Sequence, residues 1–393
     1  MMTLGMLEVG SCVYLRAFEG YDGVHLMNYD FDPYKNIALV PGFRDTRGIE
    51  HNAQGFRRSV DTPLEKPEGV LRVFLMGGST GYGLRSLSQY AQDLYPVIRN
   101  DETIDHYLER DLRDAIPGYR VEVINAAITS FQSHHHLIYL NQTVLKYDPD
   151  VIVFLDGFND YFEWKPGFDQ FRDYAYQERA HSFLGEPTLS AWGHYTGWWL
   201  FRKSHFAHVL GKALKNVSLM RGPGGPRPKI PMPDALDHLR DNAERNFVKM
   251  VERNSLILAH ENVPAIFALQ PEIAFEQSKQ FSPLETQIYG EMVGHWPENY
   301  IGFKNAARPI ILEYLQNAAA LGGMQIADLT DIYAGVEGDV YTDYCHLTPT
   351  GNERLAQALA PAVLELLVER TRAARGSSGE DIDTTTPEAA TGN

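Results

Sequence analysis

Only two of the 393 residues are cysteine, Cys12 and Cys345. Two thiols exclude a disulfide framework and any multi-thiolate metal centre, leave one bridge formally open, and say little about compartment. Basic residues are also scarce: 35 Lys and Arg stand against 51 Asp and Glu, a formal charge of −16. A surface of that sign repels nucleic-acid phosphates and anionic membrane surfaces, so no nucleic-acid partner is expected and a neutral small molecule fits better. Long apolar runs are missing too. The opening Met1 to Leu15, MMTLGMLEVGSCVYL, is mildly apolar, but it is too short and too broken by Glu8 to span a bilayer, and it lacks the basic start of a signal peptide. Two readings of it stay open, the remnant of a longer anchor and an amphipathic helix buried on the domain. A truncated anchor implies an extracytoplasmic or membrane-anchored protein and is the only route to a membrane expected here; without one the chain is expected in the cytoplasm.

What is present points to a globular α/β chain. Hydrophobic residues make up 44% and aromatics 11%, ample for a large core. The stretch Leu71 to Gly83, LRVFLMGGSTGYG, runs as a buried strand, stops at two glycines and delivers Ser79 at the strand's carboxyl end, where α/β folds place their ligands. No lysine follows those glycines, which excludes a phosphate loop. The remaining readings are a serine that merely caps the next helix and a serine that acts as a nucleophile.

Further strands are expected at Val121 to Asn125, Val151 to Leu155, Ala265 to Leu269 and Gln325 to Leu329, with helices near 102–115, after AAITSFQS (carrying Leu137, Ile138, Leu140 and Leu145 and ending near Lys146), at 234–261, at 306–321 and at 352–370. Alternation of strand and helix predicts right-handed crossovers and a parallel sheet, hence a three-layer α/β/α sandwich with five parallel strands. Residues 1–67 read as an irregular arm wrapping the domain, with HNAQGFRR either packed on the surface or reaching the site; 68–372 as the main domain; and 373–393 as a disordered tail. After Asp160 the alternation breaks, and about 161–233 reads as a helical cap rich in aromatics, Trp164, Phe168, Phe171, Tyr174, Trp192, Tyr195, Trp198 and Trp199 among them, ending in the linker Arg221 to Pro233.

Chemistry-bearing residues gather at strand ends and in the last loop: Ser79, the turn from Asn125 to Ser130, Asn159, and the pair Asp343 and His346. Serine needs a base to become nucleophilic, histidine supplies one near neutral pH, and a carboxylate three residues before it can hold the imidazole's tautomer. GGST at Gly77 to Thr80, NAAITSF at Asn125 to Phe131, GFND at Gly157 to Asp160 and DYCH at Asp343 to His346 stand in the order of blocks I, II, III and V of the SGNH, or GDSL-type, hydrolases, which the chain resembles from about Val70 to Leu367. That resemblance implies a flavodoxin-like SGNH hydrolase fold and an ester hydrolase working through an acyl-enzyme, with no metal or cofactor. It assigns Ser79 as nucleophile and oxyanion donor, Ser130 and Asn159 as the other donors, His346 as base and Asp343 as its partner. Two departures accompany it: Gly78 stands where the family often has aspartate, and Ser130 where it has glycine.

An α/β-hydrolase elbow is disfavoured, because Ser79 follows the first recognisable strand and the acid lies three residues from the histidine. The run His134, His135 and His136 reads as a polar helix start, since consecutive helical residues point in different directions. Asp156 and Asp160 read as strand-end hydrogen-bonding groups rather than glycosidase carboxylates. The expected substrate is a small-molecule or carbohydrate ester, O-acetyl or short-acyl. An acyltransferase with the same triad and an idle SGNH domain that binds polysaccharide stay open.

Overall fold

The computed structural model describes residues 2–19, 27–160, 189–216, 230–292 and 299–377. Helix α1, Met2–Phe18, opens the chain, and an antiparallel hairpin follows, β1 (Tyr29–Asp32) with β2 (Asn36–Leu39). The sequence pattern showed no regular element there, because each strand has four residues and periodicity needs more. Turn chemistry holds the hairpin: an Asp32 carboxylate oxygen accepts the N–H groups of Tyr34 and Lys35 at 2.9 and 3.0 Å, and Asn36 closes it at φ +67°.

Five strands, β3 (Val70–Gly77), β4 (Arg120–Asn125), β5 (Val151–Asp156), β6 (Ala265–Leu269) and β7 (Gln325–Asp328), form an all-parallel sheet in the order β4-β3-β5-β6-β7. This is the flavodoxin-like order, whose crevice opens between β3 and β5, at the point where the chain reverses its direction of winding. The expected strands all form, to within a residue at either end. Ten helices accompany α1 among the described residues: α2 (Ser79–Tyr82), α3 (Ile104–Leu112), α4 (Ser133–Gln142), α5 (Leu189–Lys203), α6 (His205–Asn216), α7 (Met232–Arg245), α8 (Phe247–His260), α9 (Pro283–Met292), α10 (Tyr300–Ala320) and α11 (Pro349–Ser377).

Period-two alternation sorts the strand side chains into two cores. Phe74, Met76, Phe154 and Phe267 pack with Leu140 of α4, Leu239 of α7, Val251 of α8 and Leu315 of α10. Val73, Leu75, Val153 and Ile266 pack on the other face with Leu108 of α3, Ile288 of α9 and Leu359 of α11. With both faces covered, β3, β5 and β6 are buried at every position, which is why they read as unbroken apolar runs.

Three expectations change. The single helix over 234–261 is two, broken at Asn246 (φ −112°, ψ −81°), a residue type whose side chain competes with helical backbone bonding. The arm is part of the core rather than a surface extension: Phe56 meets Phe74 edge-on at 5.6 Å and Arg57 is wholly buried. The first helix is not a buried amphipathic one, since Leu4, Val9, Val13 and Phe18 face outward. Of the aromatic insertion between β5 and β6, α5 and α6 are described; Trp164, Phe168, Phe171 and Tyr174, linker residues 221–229 and tail residues 378–393 lie outside the described residues, as do the side chains of Trp192, Tyr195 and Trp198. Among the described residues no helix is long and apolar enough to cross a membrane.

Candidate active site

At the carboxyl end of β3 the chain must turn under tight steric limits. A Cβ at Gly77 would stand 2.4 Å from the Leu155 carbonyl oxygen, and one at Gly78 would stand 2.8 Å from Asn159 Nδ2. Backbone leaves no room for a Cβ at Gly77, whereas at Gly78 the Asn159 side chain alone would have to shift, and the turn sets Ser79 on the first position of the one-turn helix α2, half-buried. Its N–H, like every first-turn amide, has no intrahelical acceptor. Two neighbours brace α2 from beneath: Asn125 Nδ2 donates to the Gly81 carbonyl at 2.9 Å, and the Arg57 guanidinium donates to the carbonyls of Tyr82 and of Gly83, the latter at 2.8 Å. The sequence left HNAQGFRR undecided between surface and site; the structure puts Arg57 directly behind the turn that carries Ser79.

The loop before α11 brings the other two groups. His346 Nε2 lies 2.8 Å from Ser79 Oγ, and His346 Nδ1 lies 2.7 Å from an Asp343 oxygen. Asp343 and His346 are buried while Ser79 keeps an opening. Asp343 is held on every side, because its two oxygens also accept the N–H groups of Leu87 at 2.7 Å, Cys345 at 3.0 Å and His346 at 2.9 Å. Burial alone would push its carboxyl up, but the imidazole beside it and these N–H donors outweigh burial and hold it below the usual carboxylate range. Asp343, Cys345 and His346 are close enough together to hold a metal ion. Yet the acid and the imidazole are already bonded to each other, and burial pushes the Cys345 thiol well up, away from the thiolate a metal needs.

Two more sequence-chosen residues lie in the turns after β5 and β4. Asn159 follows β5, its Nδ2 donating to the Phe131 carbonyl at 2.8 Å, which leaves the second N–H of that amide for a ligand, beside Gly78. Ser130 sits in the turn after β4 at φ +66°, the left-handed region that glycine favours.

Sequence reasoning missed what couples these pieces. Thr80 Oγ donates to the Cys345 carbonyl at 3.1 Å and accepts from Gln270 Nε2 at 3.1 Å, joining the nucleophile turn, the end of β6 and the histidine loop. Ser86 Oγ donates to the Thr342 carbonyl at 2.7 Å. Only the position of Gln270 just beyond an apolar run marked it. The three histidines that start α4 are buried rather than surface groups: His136 Nε2 meets Asp156 at 2.5 Å, and His135 Nδ1 accepts the Gln132 N–H at 3.1 Å. Asp160 bonds the N–H and hydroxyl of Ser133 at 3.2 and 3.3 Å, and burial, then the charge of Asp156, push its carboxyl well up. These acids brace the turns after β4 and β5 from behind.

Beside the triad, Phe158 and Tyr344 stack with ring centroids 5.0 Å apart, each half-buried, one preceding Asn159 and the other lying between Asp343 and His346. No protein-family model and no curated protein matches the chain. Among solved structures it is similar to the extracellular lipase from Streptomyces rimosus (13% identity over 74% of this chain and 99% of that one, TM-score 0.40). It is similar too to an acetyl xylan esterase (13% over 75% and 100%, TM-score 0.38) and to the acetylxylan esterase from Geobacillus stearothermophilus (12% over 76% and 94%, TM-score 0.36). At those TM-scores the reading of the site rests on its own geometry.

Proposed function

We propose that the chain is a serine esterase of the SGNH type, cleaving the short-acyl or O-acetyl ester of a carbohydrate or other small molecule through an acyl-enzyme. The observation that carries this reading is the unbroken series Ser79 Oγ, His346 Nε2, His346 Nδ1, Asp343, at 2.8 and 2.7 Å. As Ser79 Oγ bonds to the ester carbonyl carbon, its proton passes to Nε2, and Asp343 steadies the imidazolium without taking the proton. Negative charge collects on the carbonyl oxygen, which the N–H groups of Ser79 and Ser130 and the side-chain amide of Asn159 are proposed to receive. When the carbon–oxygen bond to the alcohol breaks, the alkoxide takes the proton from Nε2. Water then gives its proton to Nε2 and attacks the acyl carbon, and Ser79 leaves with the proton restored. The stacked rings of Phe158 and Tyr344 offer a flat apolar surface for the face of a sugar or the acyl group.

A fluorophosphonate probe is expected to label the folded chain at Ser79 and to leave Ser79→Ala unlabelled, with p-nitrophenyl acetate turnover lost in the same variant. Labelling that persists in Ser79→Ala, or a wild-type chain inert to both reagents at neutral pH, refutes the proposal.

A further inference from the structure

Helix α1 is inside out. The residues it turns toward the protein are Glu8, Ser11, Cys12 and Leu15, a stripe at helical spacing that carries its one acid and that Glu19 continues just past its end. Glu8 caps the start of α6: its carboxylate accepts the Ser204 hydroxyl at 2.7 Å and the N–H groups of His205 and Phe206 at 2.6 and 3.1 Å. Burial works against that carboxylate's charge, but these donors hold it down at about 2. Glu19 pairs with Lys212 further along α6. The polar contacts therefore dock α1, and the apolar residues are left outside: Met6 is 66% exposed, Val9 65%, Val13 60% and Phe18 78%. In a helix folded against water the arrangement is the reverse.

We infer that α1 lies in the surface of a lipid bilayer, its outward side among the acyl chains and its acidic stripe locked onto α6. Width decides between a bilayer and a second copy of the chain. At about 100° per residue, Met6, Leu7, Val9, Val13, Tyr14 and Phe18 spread over roughly half the helix circumference. A second helix packs along a narrow seam, whereas a fluid apolar phase wets a broad arc. The outward face also carries no acidic residue, so none of the acids behind the −16 charge stands on it. Its acidic stripe is held by α6, so α1 lies along the interface with that stripe on the protein rather than among the acyl chains. In the helices that α1 docks on or that pack beside them, Trp199 and Leu200 of α5 and Leu210 of α6 are exposed as well.

The test is flotation of the full chain with phosphatidylcholine vesicles in a density gradient. Wild type is expected to rise with the lipid, and to do so equally in about 0.5 M salt, since apolar burial rather than charge drives the contact. Val9→Glu combined with Val13→Glu is expected to cut the lipid-bound fraction roughly tenfold or more. Its melting temperature and its turnover of a water-soluble ester should stay at wild-type values. A wild-type chain that stays with the aqueous fraction overturns the inference whatever the variant does, as does equal flotation of both. A concentration-dependent dimer in sedimentation velocity, lost in the variant and unaccompanied by flotation, would assign the face to a second copy instead.

Discussion

Replacing Asp343 with asparagine changes one oxygen to an NH2 group of nearly the same size, in a place where four donors converge. One carboxylate oxygen accepts the N–H groups of Cys345 and His346, and the other accepts the Leu87 N–H and His346 Nδ1–H. An amide has a single acceptor oxygen. If that oxygen faces Cys345 and His346, the NH2 faces Leu87 and the imidazole; Nδ1 must then accept, its proton moves to Nε2, and Nε2 can no longer take the proton of Ser79 Oγ. If the amide is turned the other way, two backbone N–H groups meet a donor in a buried site, at about 1–3 kcal/mol each. The first arrangement leaves one backbone N–H unsatisfied, the second leaves two, so the wrong tautomer is the cheaper outcome. The same wrong tautomer in a serine protease triad slows turnover by about 10⁴-fold, and a loss of that order, with little change in KM, is expected here. The assay is p-nitrophenyl acetate hydrolysis with a thermal melt, and 15N NMR of His346 should show the proton on Nε2. A folded variant turning over within tenfold of wild type would show that Asp343 only shapes its loop.

Asn159→Ala removes a donor beside Gly78 and is expected to lower kcat roughly a hundredfold or more; a change below tenfold in a folded protein takes Asn159 out of the oxyanion site. Ser130→Gly should keep activity and gain about 1 kcal/mol in a denaturant melt, because φ +66° strains any residue with a Cβ; lost activity would show that the hydroxyl itself is used. Glu276, pushed up to about 8 by burial and further by Asp331, against the pull of its bond from Tyr341, holds its proton more tightly folded than unfolded. Its stability is complete below the unfolded value of about 4.3 and is lost as pH rises toward 8, so Glu276→Gln should match wild type in Tm at pH 4 and exceed it at pH 8.5; a Tm difference independent of pH contradicts this.

The parts of this protein that read plainly from its sequence are those where a local pattern has a single physical cause. Val73 to Met76 and Val151 to Leu155 are unbroken apolar runs because both faces of the sheet are covered, so strand, parallel sheet and crossovers followed from them. Gly77 and Gly78 announced a tight turn, and at Gly77 the Leu155 backbone leaves a Cβ no room. The hairpin at 29–39 stayed hidden because four-residue strands carry too little periodicity, and the break at Asn246 because helical spacing continues across it. Helix α1 misled in another way: its pattern is amphipathic, and amphipathicity does not say which face turns inward. That was decided by Glu8 finding the open N–H groups of α6, a partner about two hundred residues away.

The same distance explains what the sequence could not show of the site. Ser79 and His346 are 267 positions apart and meet at 2.8 Å, and a hydrogen bond of that length does not by itself fix a loop that arrives from the far end of the chain. The fixing is done by side chains with no role in the chemistry. Thr80, next after Ser79, is tied to Cys345, next before His346, Gln270 ties Thr80 to β6, and Ser86 and the Leu87 N–H tie the segment after α2 to Thr342 and Asp343. Each is a common polar residue in a stretch without periodicity, so nothing local distinguishes it from surface decoration. Their placement makes the bond between Ser79 and His346 depend on the register of β6 with β5, because Gln270 follows the last β6 residue paired to Asp156. A substitution that loosens that pairing should therefore reach the triad through Gln270 and Thr80.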